Sequence, residues 1–192
     1  MRLKIVLCLS LLCTTVDFGA LLAHVLELPN KLALSGPLWL AVQQNLYRGW
    51  GAVLGPFEVA AVGFTWTLVV MLRGRGAAFN RALIAGVCLS LLLAAFLLVV
   101  RPVNQAFAAW TAQTLPVDWP RYRLQWELGH AGRAVLGAIS LASLIRTAGL
   151  LTVRLPPDGK TELKPNDCSP PRLSSAAPDF SPAAQACRGS GS

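Results

Sequence analysis

Apolar residues run along this chain in four long blocks separated by short polar breaks. Crossing a hydrocarbon core takes about 20 apolar residues as a helix. Blocks of that length occur at about Ile5 to Leu26, Trp50 to Leu72, Ala82 to Val100 and Trp119 to Leu151. The third continues past Pro102 toward Thr114, and the fourth is polar in its first half and apolar in its second. Between the first two blocks, Ser35 stands as an N-cap and Pro37 in a first helical turn. Leu38, Leu40, Ala41, Val42 and Leu46 follow as an amphipathic stretch, predicted to lie flat at a membrane interface. The pattern predicts an all-α fold: a four-transmembrane-helix bundle over 1–152, with a short interfacial helix between helices one and two. From Pro156 the chain is rich in Pro, Ser, Ala and Asp, a composition that cannot bury a core, so 153–192 is expected to be a disordered cytoplasmic tail.

Composition agrees. Charged residues make up 14% of the 192 and mean hydropathy is +0.53, against roughly 25% charged in soluble domains. The first block opens like a signal peptide, with Arg2 and Lys4 before LCLSLLC, but it has no small-x-small cleavage site, so an uncleaved anchor is expected. A net charge of +8 would suit nucleic acid if it were clustered; the basic residues instead flank apolar runs, which argues for a lipid partner and against nucleic acid. Eleven of the seventeen Lys and Arg residues fall on the side of the two termini and the RGRG loop. That side is expected to be cytoplasmic in a multi-pass protein of the cell membrane. Five of the six tryptophans (all but Trp66) fall on the other side. The five cysteines form no C-x-x-C pair, so neither a disulfide framework nor a zinc knuckle is indicated. No nucleophile elbow, phosphate loop or dinucleotide fingerprint is present, and the RGRG glycines read as turn residues. The sequence leaves the oligomeric state open.

The chemistry gathers at one level. Helix one ends with His24 and Glu27, three apart on one face. Helix four carries Glu127 and His130 at the same spacing, helix two begins with Glu58, and Arg101, Asn104 and Gln105 surround Pro102. At about 100° per residue, Trp119, Arg123, Trp126, Glu127, His130 and Arg133 share one stripe of helix four, and Asp17 lies a heptad before His24. Each charge costs roughly 2.5 kcal/mol or more at mid-bilayer, so the stripe must face the interior. Two readings stay open. In one, Arg48, Arg101, Arg123 and Arg133 pair with Glu27, Glu58 and Glu127 in a structural network. In the other, His24, Glu27, Glu58, Glu127 and His130 hold a non-haem metal, iron or copper, as Glu-x-x-His spacings do in helix bundles; a haem between His24 and His130 is a variant. The small residues Gly129, Ala131, Gly132, Gly137 and Ala138 are expected to permit close helix packing.

RPVNQAFAAW and RYRLQWELGHAGRAVL together resemble the anthrone-oxygenase-like family of small four-helix membrane proteins, a domain of unknown function. That family's Pro-x-Asn falls on Pro102 and Asn104. Its Arg-x-x-Trp-x-x-x-His-x-x-Arg falls on Arg123, Trp126, His130 and Arg133. The resemblance covers about residues 5 to 150, and its motif does not include His24 or Glu27. It implies oxidation of an anthrone to an anthraquinone with dioxygen, as in some members tied to polyketide pathways. On that reading the protein is an oxidoreductase acting on a hydrophobic, aromatic small molecule. His130 is the base or ligand with Glu127 beside it, and Arg123, Arg133 and Asn104 hold a phenolate or carbonyl oxygen. Tyr47, Arg48, Arg101 and Trp126 contact the substrate, and no cofactor is required. The alternative is a non-catalytic subunit or small-molecule binder.

Overall fold

The computed structural model describes residues 1–152; the tail expected over 153–192 lies outside the described residues. Among the described residues every regular element is a helix. The helices are α1 (Arg2–Leu32), α2 (Gly36–Asn45), α3 (Trp50–Met71), α4 (Ala77–Ala95), α5 (Arg101–Ala108) and α6 (Trp119–Thr152), with a π-helical segment, Phe96–Val100, joining α4 to α5. Four stretches, Arg2–Leu32, Trp50–Met71, Ala77–Ala108 and Trp119–Thr152, are long and apolar enough to cross a membrane.

The four long helices close into a ring in which α1 packs on α3 and α6, and α4 packs on α3 and α6. At one end the core is apolar: Leu7, Leu68, Leu72, Ala82, Ala85 and Leu144 interlock. At the other end α2 and α5 cover the ring, and Trp39, Leu40, Val100, Val103, Phe107 and Trp126 form a second core. Many outward side chains are apolar, including Leu12, Leu26, Val53, Val59, Leu98 and Val135, while Asp17, His24, Lys31, Glu58, Glu127, His130 and Arg133 are buried. Polar inside and apolar outside is the arrangement hydrocarbon solvent requires, and it fits a multi-pass integral membrane protein.

Three local departures from the sequence reading shape the site. First, α1 does not stop near Leu26 but runs through Pro29 to Leu32. The extra turn places Lys31 seven residues after His24 and on its face. Second, α2 forms where Pro37 predicts, with Ser35 at the N-cap position but no side-chain cap bond. Its buried face is Trp39, Leu40 and Gln43, whereas Leu38, Ala41 and Leu46 are exposed. Third, the run past Pro102 ends at Ala108 rather than near Thr114. Pro102 has no N–H to give the preceding turn, and the π-helical segment lies immediately before it. Gly74 and Gly76 both take positive φ (79° and 52°), the turn role expected of them. Of the small residues on α6, Gly129 and Gly137 meet neighbours closely enough to matter: an added Cβ would lie 2.9 Å from Val100 and 3.2 Å from Phe18 respectively. Gly132 faces open space.

Candidate functional site

The polar stripe of α6 faces inward over Trp126, Glu127, His130 and Arg133, all buried. Its charges divide into two groups. In the first, Lys31 Nζ lies 3.0 Å from Glu127 Oε2, 3.7 Å from Glu27 Oε2 and 3.4 Å from His24 Nδ1. Tyr47 donates its hydroxyl to Glu27 Oε2. Burial first, and then that bond to a carboxylate, push the Tyr47 hydroxyl above its ordinary pKa, so it stays a donor. The ammonium also stacks 4.8 Å from the Trp126 ring. In the second group, Arg133 Nη2 bonds Glu58 Oε2 at 2.8 Å, and its guanidinium lies 5.0 Å from the Phe96 ring centroid.

Between the groups the two histidines touch, with ring centroids 4.4 Å apart. Trp126 is 4.1 Å from His130 and 4.9 Å from His24, and Tyr47 is 4.8 Å from His24. The partners fix the tautomers. A backbone carbonyl only accepts, so His130 Nδ1, 3.0 Å from Trp126 O, carries a proton and leaves Nε2 for chemistry. An ammonium only donates, so His24 Nδ1 accepts from Lys31 and His24 carries its proton on Nε2. Trp126 Nε1 donates to Asn104 Oδ1 at 2.7 Å, which leaves the Asn104 amide nitrogen free to donate.

The histidines, Asp17, Tyr47, Glu58, Asn104, Trp126 and Arg133 line a cavity of about 300 Å³, with Arg48 and Trp50 at its α3 side. A second hollow of about 390 Å³ shares Ala20, Arg48, Trp50 and Leu54 with it and reaches the outward-facing Val53. The two hollows thus share a wall formed by α1 and the start of α3.

Not every candidate residue reaches this space. Glu27 and Glu127 lie outside the lining, held by Lys31. Arg123 donates to Leu34 O at 3.0 Å and so ties the α1–α2 connection to α6, and Arg101 is exposed and away from the cavity; Arg48 does line the cavity while donating its Nε to Gln44 O. Of the arginine pairings expected for a structural network, Arg133–Glu58 is present, and Lys31 takes the other two carboxylates.

The donor set does not fit a metal. Among the described residues no group of three or more His, Cys, Asp or Glu side chains could hold one, and a lysine ammonium stands among His24, Glu27 and Glu127 where a cation would compete with it. Nor do imidazoles packed at 4.4 Å leave room for a macrocycle with about 2 Å metal–nitrogen bonds on each face.

Sequence reasoning missed Lys31, counted only among the six basic residues on the side opposite the termini, and Gln43, which lines the cavity from α2. The spacing of His24, Glu27 and Lys31 on one helical face was the available signal for the first. For Gln43 there was none, because its burial depends on how α2 docks. Fold and site together define a helical protein fit for multi-pass membrane insertion, with an aromatic-walled polar cavity near one end of its bundle. No protein-family model, curated protein or solved structure matches the chain.

Proposed function

We propose that this chain is a four-span membrane oxidoreductase of the anthrone-oxygenase-like kind, drawing a flat aromatic substrate from the bilayer and oxidising it with dioxygen. The observation that carries this reading is the cavity itself: aromatic walls, His130 with Nε2 available, and a second hollow that shares its α1–α3 wall and is bounded by the outward-facing Val53. The match of Arg123, Trp126, His130 and Arg133 to the family motif supports it. His130 Nε2 removes a proton from a ring methylene flanked by aryl groups, and the negative charge spreads onto the ring oxygen. Arg133 Nε, which has no partner in the fold, and the Asn104 amide stabilise that oxygen. The carbanion reduces dioxygen and forms a C–O bond. Loss of water from the resulting hydroperoxide leaves a new carbonyl, so one methylene and one dioxygen give one carbonyl and one water. Glu127 and Arg123 act from outside the cavity as positioning residues.

A second reading, a non-catalytic binder, is favoured by the way Lys31 ties Glu27 and Glu127 into ion pairs. Purified protein given an anthrone separates the two: oxygen uptake with anthraquinone absorbance that vanishes in His130→Ala supports the enzyme. Binding of the ring without product supports the binder. The orientation, with Gly76 cytoplasmic and the cavity near the outer face, rests on the distribution of basic residues; a reporter fused at Gly76 that reads outside would move the site to the other face.

A further inference from the structure

Two adjacent glutamines on α2 have opposite surroundings. Gln44 Nε2 donates to Phe107 O at 2.7 Å and to Trp110 O at 2.9 Å, fastening α2 to the end of α5. Gln43 is 3% exposed and lines the cavity, yet neither its Oε1 nor its Nε2 has a partner. A buried amide without partners is destabilising, and natural folds keep one where a ligand or water completes it. Among the described residues the other orphaned polar atoms on this wall are Glu58 Oε1 and Arg133 Nε.

A primary amide presents an acceptor and a donor side by side in one plane. Its complement is a neutral edge with the same pair reversed: a carbonyl next to an N–H, as in a lactam, or next to an O–H. A carboxylate offers acceptors alone and leaves Gln43 Oε1 unpaired, and an ammonium offers donors alone and leaves Gln43 Nε2 unpaired; the two carboxylates (Asp17, Glu58) and two guanidiniums (Arg48, Arg133) of the lining give no net charge that favours either. We infer that Gln43 is the specificity-determining residue of the cavity, selecting flat ring compounds that carry a neutral, adjacent donor–acceptor edge. The inference rests on the reading of the cavity as the substrate site and adds to it the polar group that is recognised.

The test uses the full chain in nanodiscs, with empty discs as the blank, and follows tryptophan fluorescence on titration with 2-quinolone or N-methyl-2-quinolone. The methyl group deletes the donor and leaves the ring. One neutral hydrogen bond lost, with Gln43 Oε1 left unpaired, gives about tenfold discrimination, so 2-quinolone should bind about tenfold tighter to the wild type. In Gln43→Met the ratio should fall to about one while the melting temperature holds or rises, since an orphaned amide has been removed. Gln44→Met should lower the melting temperature and keep the ratio. Equal binding of both probes by the wild type, or an unchanged ratio in Gln43→Met, would overturn the role of Gln43 alone. Binding of neither probe would overturn the cavity reading together with it.

Discussion

The Lys31 cluster and the histidine cavity lie side by side in the same helix ring and draw on the same residue types. In the first, an ammonium is surrounded by two carboxylates, an imidazole and two aromatic faces, and one carboxylate oxygen, Glu127 Oε1, is left over. In the second, two imidazoles, two carboxylates and two guanidiniums surround open space, and four polar atoms on the wall are unpartnered. Both are buried and ionisable, so charge alone does not distinguish a strut from a site. Space does. Where charges close on one another they hold helices together, and where they stop short of one another they leave room for something else to bind.

The largest effect expected from that contrast is on stability. Lys31→Met strands Glu127, whose side chain is 1% exposed, and breaking a buried pair on one side costs about 3–5 kcal/mol. Thermal unfolding in micelles should show a large drop, and Lys31→Met with Glu127→Leu should recover most of it. An unchanged midpoint in the single variant would deny the cluster its structural role. His130→Gln should do the reverse, with the unfolding midpoint nearly kept and turnover of an anthrone down about 10²- to 10⁴-fold. If that variant keeps its rate, the base lies elsewhere.

A smaller effect belongs to the cover over both regions. A Cβ on Gly36 would lie 2.5 Å from Leu115 and 2.8 Å from Trp119, while one on Gly51, in the cavity wall, would meet nothing within 4 Å. Gly36→Ala should therefore cost about 1–3 kcal/mol by overpacking. Gly51→Ala should cost no more than helix propensity returns, and equal midpoints for the two would mean that α2 is loosely seated. Smallest of all is Arg101→Ala: exposed and outside both regions, it should leave stability within about 0.5 kcal/mol and turnover unchanged.

Much of this could be read from the residues. Four apolar blocks locate the four long helices, and the stripe from Trp126 to Arg133 follows from helical period and the cost of charge in lipid. The parts that could not be read have physical reasons. Pro29 looks like a stop because proline forfeits a backbone bond, yet one more turn forms and delivers Lys31 to the interior. In α2, hydropathy grouped Leu38, Leu40, Ala41, Val42 and Leu46 as one amphipathic stretch; of these only Leu40 is buried, and it packs inward with Trp39 and Gln43. When the outside is as apolar as the core, hydrophobicity no longer says which face of a helix is the inner one. The same inversion hid Gln43, a polar residue that reads as surface in water and is interior here.

The two bonds from Gln44 also bear on the order in which the molecule assembles. They join residues 63 and 66 positions apart in sequence; Phe107 O, in the last turn of α5, also accepts from Trp110 N–H, and Trp110 O lies just past the helix end. Neither glutamine can settle until α3 and α4 have been made and α5 has formed, because contacts this distant wait on the closure of everything between them. Gln43 therefore settles only once α5 is in place, and α5 brings Asn104 and Phe107 to the cavity wall at the same stage, so roof and wall are completed together.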